Sequence, residues 1–183
     1  FNGEVEKNFI GEVSKYTVKA ILNGKKAMFS FENENLDVDF IVSKLTQNIQ
    51  SVTTDEVSSI FAGSEKYPTL AKVESDFKNV SASEKIELIK KVYNKAKSYD
   101  SRLVNFPYCE YMEASNKREV LNSKGLHLVK EIEYGGAILS AVARENGETQ
   151  DGMGINIKLK FSEINADEVA EKACKEAISM LGA

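Results

Sequence analysis

The chain has one histidine, His127, and two cysteines, Cys109 and Cys174. Zinc centres, serine triads and Cys/His nucleophiles all draw on grouped His or Cys, so this supply removes most of them at the outset. His127 lies between Leu126 and Leu128. Strand alternation places it with Val129, Glu131 and Glu133, as a partly exposed structural residue. Cys109 falls in an expected strand and Cys174 on the apolar stripe of an expected helix, so both read as buried free thiols. They form neither a disulfide framework nor, without neighbouring histidines, a zinc site. Glu110 and Glu113 flank Tyr111, but an odd separation on a strand puts the two carboxylates on opposite faces, where they cannot act as a dyad. Asp151-Gly152-Met153-Gly154 lacks the spaced acidic ligands of a calcium loop and the Lys-Ser/Thr ending of a phosphate loop, and reads as a flexible turn. Phe106, Tyr108 and Tyr111 have the stacking surface to hold a ligand, yet aromatics on strands more often fill cores or cross-strand pairs.

The elements that would position these residues belong to a folding chain. Of 183 residues, 42% are hydrophobic and 28% charged, with Gly at 11 and Pro at 2, a balance that supports a core and excludes a low-complexity linker. A net charge of −4 argues against direct nucleic-acid binding, which needs concentrated Lys and Arg. Lys85, Lys90, Lys91, Lys95 and Lys97 interleave with apolar residues at helical spacing and read as a solvated helix face. No stretch approaches the roughly 20 apolar residues of a membrane span, and FNGEVEKNFIGEV lacks the apolar core of a signal peptide. A soluble, cytoplasmic protein without a membrane partner is expected, although the chain starts at Phe1 rather than Met.

The fold class predicted is α+β (mixed α/β): antiparallel β-meander sheets with packed helices. Tyr16 to Leu22 and Ala27 to Phe31 alternate about the turn Asn23-Gly24, which makes a hairpin. After the polar loop ENEN, Asp37 caps a helix with Val38, Ile41, Val42, Leu45 and Ile49 on one face. EVSSIFA is a candidate short strand. Ser81 and Glu84 form a capping box for a second helix carrying Ile86, Ile89, Val92, Tyr93 and Ala96. Strands are then predicted over Tyr108–Ala114, Arg118–Leu121, Leu126–Tyr134, Ala137–Arg144 and Ile155–Phe161. Their turns are SNK, Asn122-Ser123-Lys124-Gly125, Gly135-Gly136 and Asn146-Gly147. Asn165 caps a last helix with Val169, Ala170, Ala173, Cys174, Ala177, Ile178 and Leu181 on one face, and Gly182 reads as its C-cap. A hairpin–helix unit beginning near Asn2-Gly3 is matched by one beginning near Asn122, a candidate internal duplication. The long antiparallel sheet offers an outer strand that could accept an extended peptide.

NSKGLHLVKEIEYGGAILSAVARENGETQDG, followed by FSEINADEVAEKACKEAISMLGA, resembles the amino-terminal domain of the TldD/PmbA family, the modulators of DNA gyrase. The similarity is carried by Asn-Ser-x-Gly at Asn122, Ser123 and Gly125, by Gly-x-x-Gln-x-Gly at Gly147, Gln150 and Gly152, and by a closing helix ending in Leu-Gly-Ala. NGEVEKN, the turn Asn23-Gly24-Lys25 and ENENLDVDFIVSKL agree with the family's early segment, with a first helix expected before Phe1. These six motif positions are structural candidates; no catalytic, cofactor-binding or metal residue is assigned.

The resemblance implies a cytoplasmic protein that forms a homodimer or a heterodimer with a TldD-type subunit, in a family that includes zinc metalloproteases acting on peptide or protein substrates. There the zinc binds a His-Glu-x-x-x-His motif in a carboxy-terminal domain, and this sequence contains none. The likeness is closer to the PmbA branch, some of whose members lack that motif. Residues 1–183 are therefore expected to be a single amino-terminal domain of a larger protein, with candidate subunits 1–100 and 101–183. Its expected role is to shape peptide binding and dimer contact for a domain absent from this sequence. The alternatives are a free-standing peptide- or protein-binding adaptor and a small acid/base enzyme assembling carboxylates from different strands.

Overall fold

The computed structural model describes residues 5–32, 35–54, 56–69 and 74–182. In chain order the elements are β1 (Tyr16–Leu22), β2 (Lys25–Phe31), α1 (Val38–Gln50), α2 (Ala82–Lys97), β3 (Leu103–Leu121), β4 (His127–Glu145), β5 (Glu148–Lys158) and α3 (Ala166–Ser179). The strands form two antiparallel sheets, β1-β2 and β3-β4-β5, so the fold is α+β. The chain divides into two compact units. One comprises Phe1–Asn8, Pro68–Glu119 and Val129–Ala183, the other Phe9–Tyr67 and Val120–Leu128. Helix α2 thus shares a unit with most of β3 and β4, β5 and α3, and a division at residue 100 does not follow the packing.

The smaller unit rests on the β1–β2 hairpin, in register from Tyr16↔Phe31 to Leu22↔Lys25. Its turn has φ of 52° at Asn23 and 79° at Gly24, the left-handed pair that matches the twist of two antiparallel strands. Ala27 joins Leu45 and Ile49 of α1 in a small core, flanked by Val18, Ala20, Phe29 and Ile41. Asp37 stands at the N-cap of α1 but its side chain makes no cap bond. The stretch 56–62 is no strand. Its Ser58 N–H donates to the Gly24 carbonyl at 2.7 Å, and Val57 and Phe61 remain exposed rather than alternating into a core. Asn2-Gly3, where the first duplicated unit was expected to begin, and Asn33-Glu34 of the polar loop lie outside the described residues.

In the larger unit α2 and α3 pack together and α3 lies along β5. Ser81 and Glu84 form the full capping box of α2. The Asn165 side chain accepts from the N–H groups of Asp167 and Glu168 at the start of α3. Helix α3 ends at Ser179 with Met180 as its C-cap, so Gly182, at φ 77°, lies beyond the cap and not on it. Leu139, Val92, Val169 and Cys174 are fully buried at the centre of this unit.

Two expected turns are absent. Strand β3 runs unbroken through Ser115-Asn116-Lys117 and β4 through Gly135-Gly136. The glycines are needed for space, not for a turn. A Cβ on Gly135 would lie 2.6 Å from the Phe77 ring, and one on Gly136 would lie 2.2 Å from the Asn156 carbonyl. Strand β5 ends at Lys158, so Phe161 belongs to a short 3-10 turn, Phe161–Glu163, and not to the strand. Leu103, Phe106, Cys109 and Tyr111 all reach one core, and intervals of three cannot do so in regular alternation. The strand is irregular there, around Pro107, and the Phe106 N–H is bonded by the Asn105 side chain at 2.9 Å, as at a bulge.

Candidate functional site

The groups best suited to chemistry are engaged in structure. Cys109 and Cys174 are buried, with their sulfurs 3.8 Å from the Ile89 carbonyl and 3.9 Å from the Ala96 carbonyl. Burial pushes the Cys109 thiol up to about 12 and the Cys174 thiol to about 11, with smaller contributions from Glu110 and Asp100. Neither is poised as a thiolate. Burial, followed by its bond to Glu113, also raises the Tyr111 hydroxyl above its ordinary range. That hydroxyl and Lys85 both donate to the Glu113 carboxylate, at 2.6 and 2.8 Å, a closed set remote in role from Glu110, which is exposed. His127 is exposed at the first position of β4. Three further lysines of α2 are ion-paired, Lys90 with Glu87, Lys91 with Asp167, and Lys95 with Asp167 and Glu171, while Lys97 lies over the Tyr93 ring.

Among the described residues no three His, Cys, Asp or Glu side chains converge. Two inert, separately bonded thiols and one exposed imidazole do not fit a zinc site, which needs three adjacent ligands and an open position.

The remaining candidate is β5. It pairs with β4 from Gly135↔Lys158 to Glu145↔Glu148 and is the last strand of its sheet. Gly152, Gly154 and Asn156 face the helices and are buried; Met153, Ile155 and Ile157 face away, 46%, 41% and 48% exposed. Continuing across the sheet on that outer face are half-buried Ile138 and Val142 of β4, then exposed Val104 and Tyr108 of β3, neighbours of core-facing Leu103 and Cys109. Phe106 and Tyr111 turn inward instead, edge-on to Tyr93 and Phe161.

The Met153 N–H donates to Oε2 of Glu176 on α3 at 2.9 Å. In an antiparallel pair, the N–H and C=O of one residue point the same way and alternate along the strand. Because Met153 is bonded outside the ladder, the main-chain groups of Ile155 and Ile157 also point to the open side of β5. A row of apolar side chains thus adjoins a row of main-chain donors and acceptors, the two surfaces an added strand uses.

Three of the six motif residues, Gly147, Gln150 and Gly152, lie in this strand or the turn that leads into it. Asn146 and Gly147 form the β4–β5 turn with φ of 50° and 84°. Gln150 donates to Glu148 at 2.7 Å, and Glu148 accepts the Gly182 N–H at 3.0 Å, which ties the strand's start to the chain beyond α3. The bond from Gln150, then that from Gly182, holds the Glu148 carboxyl below its usual range. A Cβ on Gly152 would meet the Ala173 carbonyl at 2.3 Å, and one on Gly154 the Val169 carbonyl at 1.9 Å. Asp151-Gly152-Met153-Gly154 is therefore a strand pressed on a helix, not the flexible turn expected. Asn122, Ser123 and Gly125 are in the β3–β4 turn. There Asn122 Oδ1 accepts from Lys124 and Leu126, its amide donates to the Phe61 carbonyl at 2.6 Å, and Gly125 has φ 88°.

Glu176 was not singled out in the sequence. As one acidic residue on a charged helix face it carries no local signal; only the seating of α3 under β5 brings it to the strand. No helix among the described residues is long and apolar enough to cross a membrane.

A sequence model described as the PmbA/TldA metallopeptidase central domain matches residues 75–181. The fold is similar to that of a candidate modulator of a DNA gyrase from Thermotoga maritima, with a TM-score of 0.75 at 22% identity over 100% of this chain and 41% of that one. A Bacteroides thetaiotaomicron protein described in the same way aligns with a TM-score of 0.68 at 16% identity, over 91% of this chain and 39% of its own. TldE from Thermococcus kodakarensis aligns with a TM-score of 0.59 at 15% identity, over 90% and 37%. The chain spans about two fifths of the length of these structures. No curated protein matches the sequence.

Proposed function

Because the chain belongs to the PmbA/TldD family, we propose that it is a non-catalytic part of a metallopeptidase-like protein that holds peptide, and makes dimer contact, for a separate catalytic domain. The observation that carries this reading is β5: an outermost strand with open main-chain groups beside exposed Met153, Ile155 and Ile157. An extended peptide added there gains ladder hydrogen bonds and buries apolar surface at the same time. The matched family region is the one described as the central domain of a metallopeptidase.

Any zinc-dependent cleavage belongs to a catalytic domain outside these residues, in a cytoplasmic protein working as a homodimer or with a TldD-type partner. Incubating short peptides with zinc and either the 183-residue chain or the full-length protein tests the division of labour. The chain alone should bind peptide without hydrolysing it. Hydrolysis by the 183-residue chain would overturn the proposal.

A further inference from the structure

Glu176 does more at β5 than cap one exposed main-chain N–H. Its Oε2 accepts the Met153 N–H, so one edge donor is already filled and a strand added to β5 finds its open partners at Ile155 and Ile157. A carboxylate has lone pairs beyond the one used, and Glu176 forms no ion pair with Lys172 or Lys175 on its own helix among the described contacts. Asp151, exposed two residues before Met153, adds negative charge at the same end of β5. The far end carries Lys158 and Lys160. The edge is therefore polar in charge along its length: acidic at Met153, basic beyond Ile157.

From this we infer that Glu176 recognises the free amino terminus of a short peptide lying along β5. The inference rests on the reading of β5 as a peptide-holding edge. The ammonium donates to Glu176, the next main-chain groups pair with Ile155 and Ile157, and the carboxylate end lies towards Lys158 and Lys160. That direction is parallel to β5; the reverse direction would set a peptide carboxylate against Glu176. The ligand class follows: peptides of a few residues with an unblocked amino terminus and apolar side chains towards the Met153, Ile155 and Ile157 face.

The test is calorimetric titration of the intact protein with a pentapeptide of alternating alanine and leucine, with its amino terminus either free or acetylated. Charge-assisted hydrogen bonds are roughly twice as strong as neutral ones, so the free peptide should bind about tenfold more tightly. Glu176→Gln keeps an acceptor for the exposed Met153 N–H and should lower the melting temperature only slightly, while reducing the free peptide to the affinity of the acetylated one. Equal affinities for the wild type, or a difference that survives Glu176→Gln, would overturn the role of Glu176. Strand addition itself would still stand in either case if Ile155→Pro weakened both peptides. If neither peptide bound the wild type, the reading of β5 would fail and this inference with it.

Discussion

Asp76 shows how one side chain can fix a junction. Its carboxylate accepts from the backbone N–H groups of Phe161 and Ser162 and from the Ser162 hydroxyl, at the short turn joining β5 to α3. Burial pushes its pKa up, but these three bonds outweigh that and hold the carboxyl below its ordinary range. A depressed carboxyl contributes stability above its unfolded pKa and loses it as pH falls through the lower folded value. Asp76→Asn should therefore cost about 1–3 kcal/mol at neutral pH, by weakening bonds to a charged acceptor. The difference from wild type should shrink in denaturant titrations taken into the acid range below the ordinary carboxylate pKa. At the same scale, Gly147 and Gly154 separate two reasons for glycine. Alanine at Gly147, where φ is 84° and no atom lies within 4 Å, should cost only about 1–2 kcal/mol. Alanine at Gly154 must displace the Val169 carbonyl and should cost ~3 kcal/mol or more, lowering the melting temperature by on the order of 10 °C.

Among elements, legibility in the sequence followed the range of the interaction that decides each one. The Ser81–Glu84 box, the Asn165 cap and both Asn-Gly turns are set by neighbours within a few residues, and each lies where the local pattern puts it. Gly135-Gly136 and Ser115-Asn116-Lys117 were legible only as turn-formers. What keeps β4 extended at the glycines is its pairing with β5 at Gly135↔Lys158 and Gly136↔Ile157, and what requires glycine there is the closeness of Phe77, Met112 and Asn156, all distant in sequence. The same limit hid the site: the motif glycines were visible as residues, but the press of α3 on β5 and the capture of the Met153 N–H by Glu176 are tertiary facts. The smaller unit gives a test at this scale. Its core is only Ala27, Leu45 and Ile49 with their partial neighbours, so Leu45→Ala should cost about 2–5 kcal/mol. Hydrogen exchange should then quicken across β1, β2 and α1, the elements that this core holds together.

For the whole molecule, one face of the β3-β4-β5 sheet is sealed by helices and the other shows Val104, Tyr108, Met153, Ile155 and Ile157 to solvent. Such contiguous apolar surface is characteristic of a face that meets something else. The same unit keeps both thiols buried and protonated. The central claim is that β5 takes an extended peptide along its open edge. Residue-resolved hydrogen exchange of the intact protein, with and without a saturating apolar pentapeptide, measures this most directly. Strand addition predicts slowed exchange at Ile155 and Ile157, with Gly154 and Asn156, already paired to β4, unchanged. Binding that leaves Ile155 and Ile157 exchanging at their free rates would contradict it.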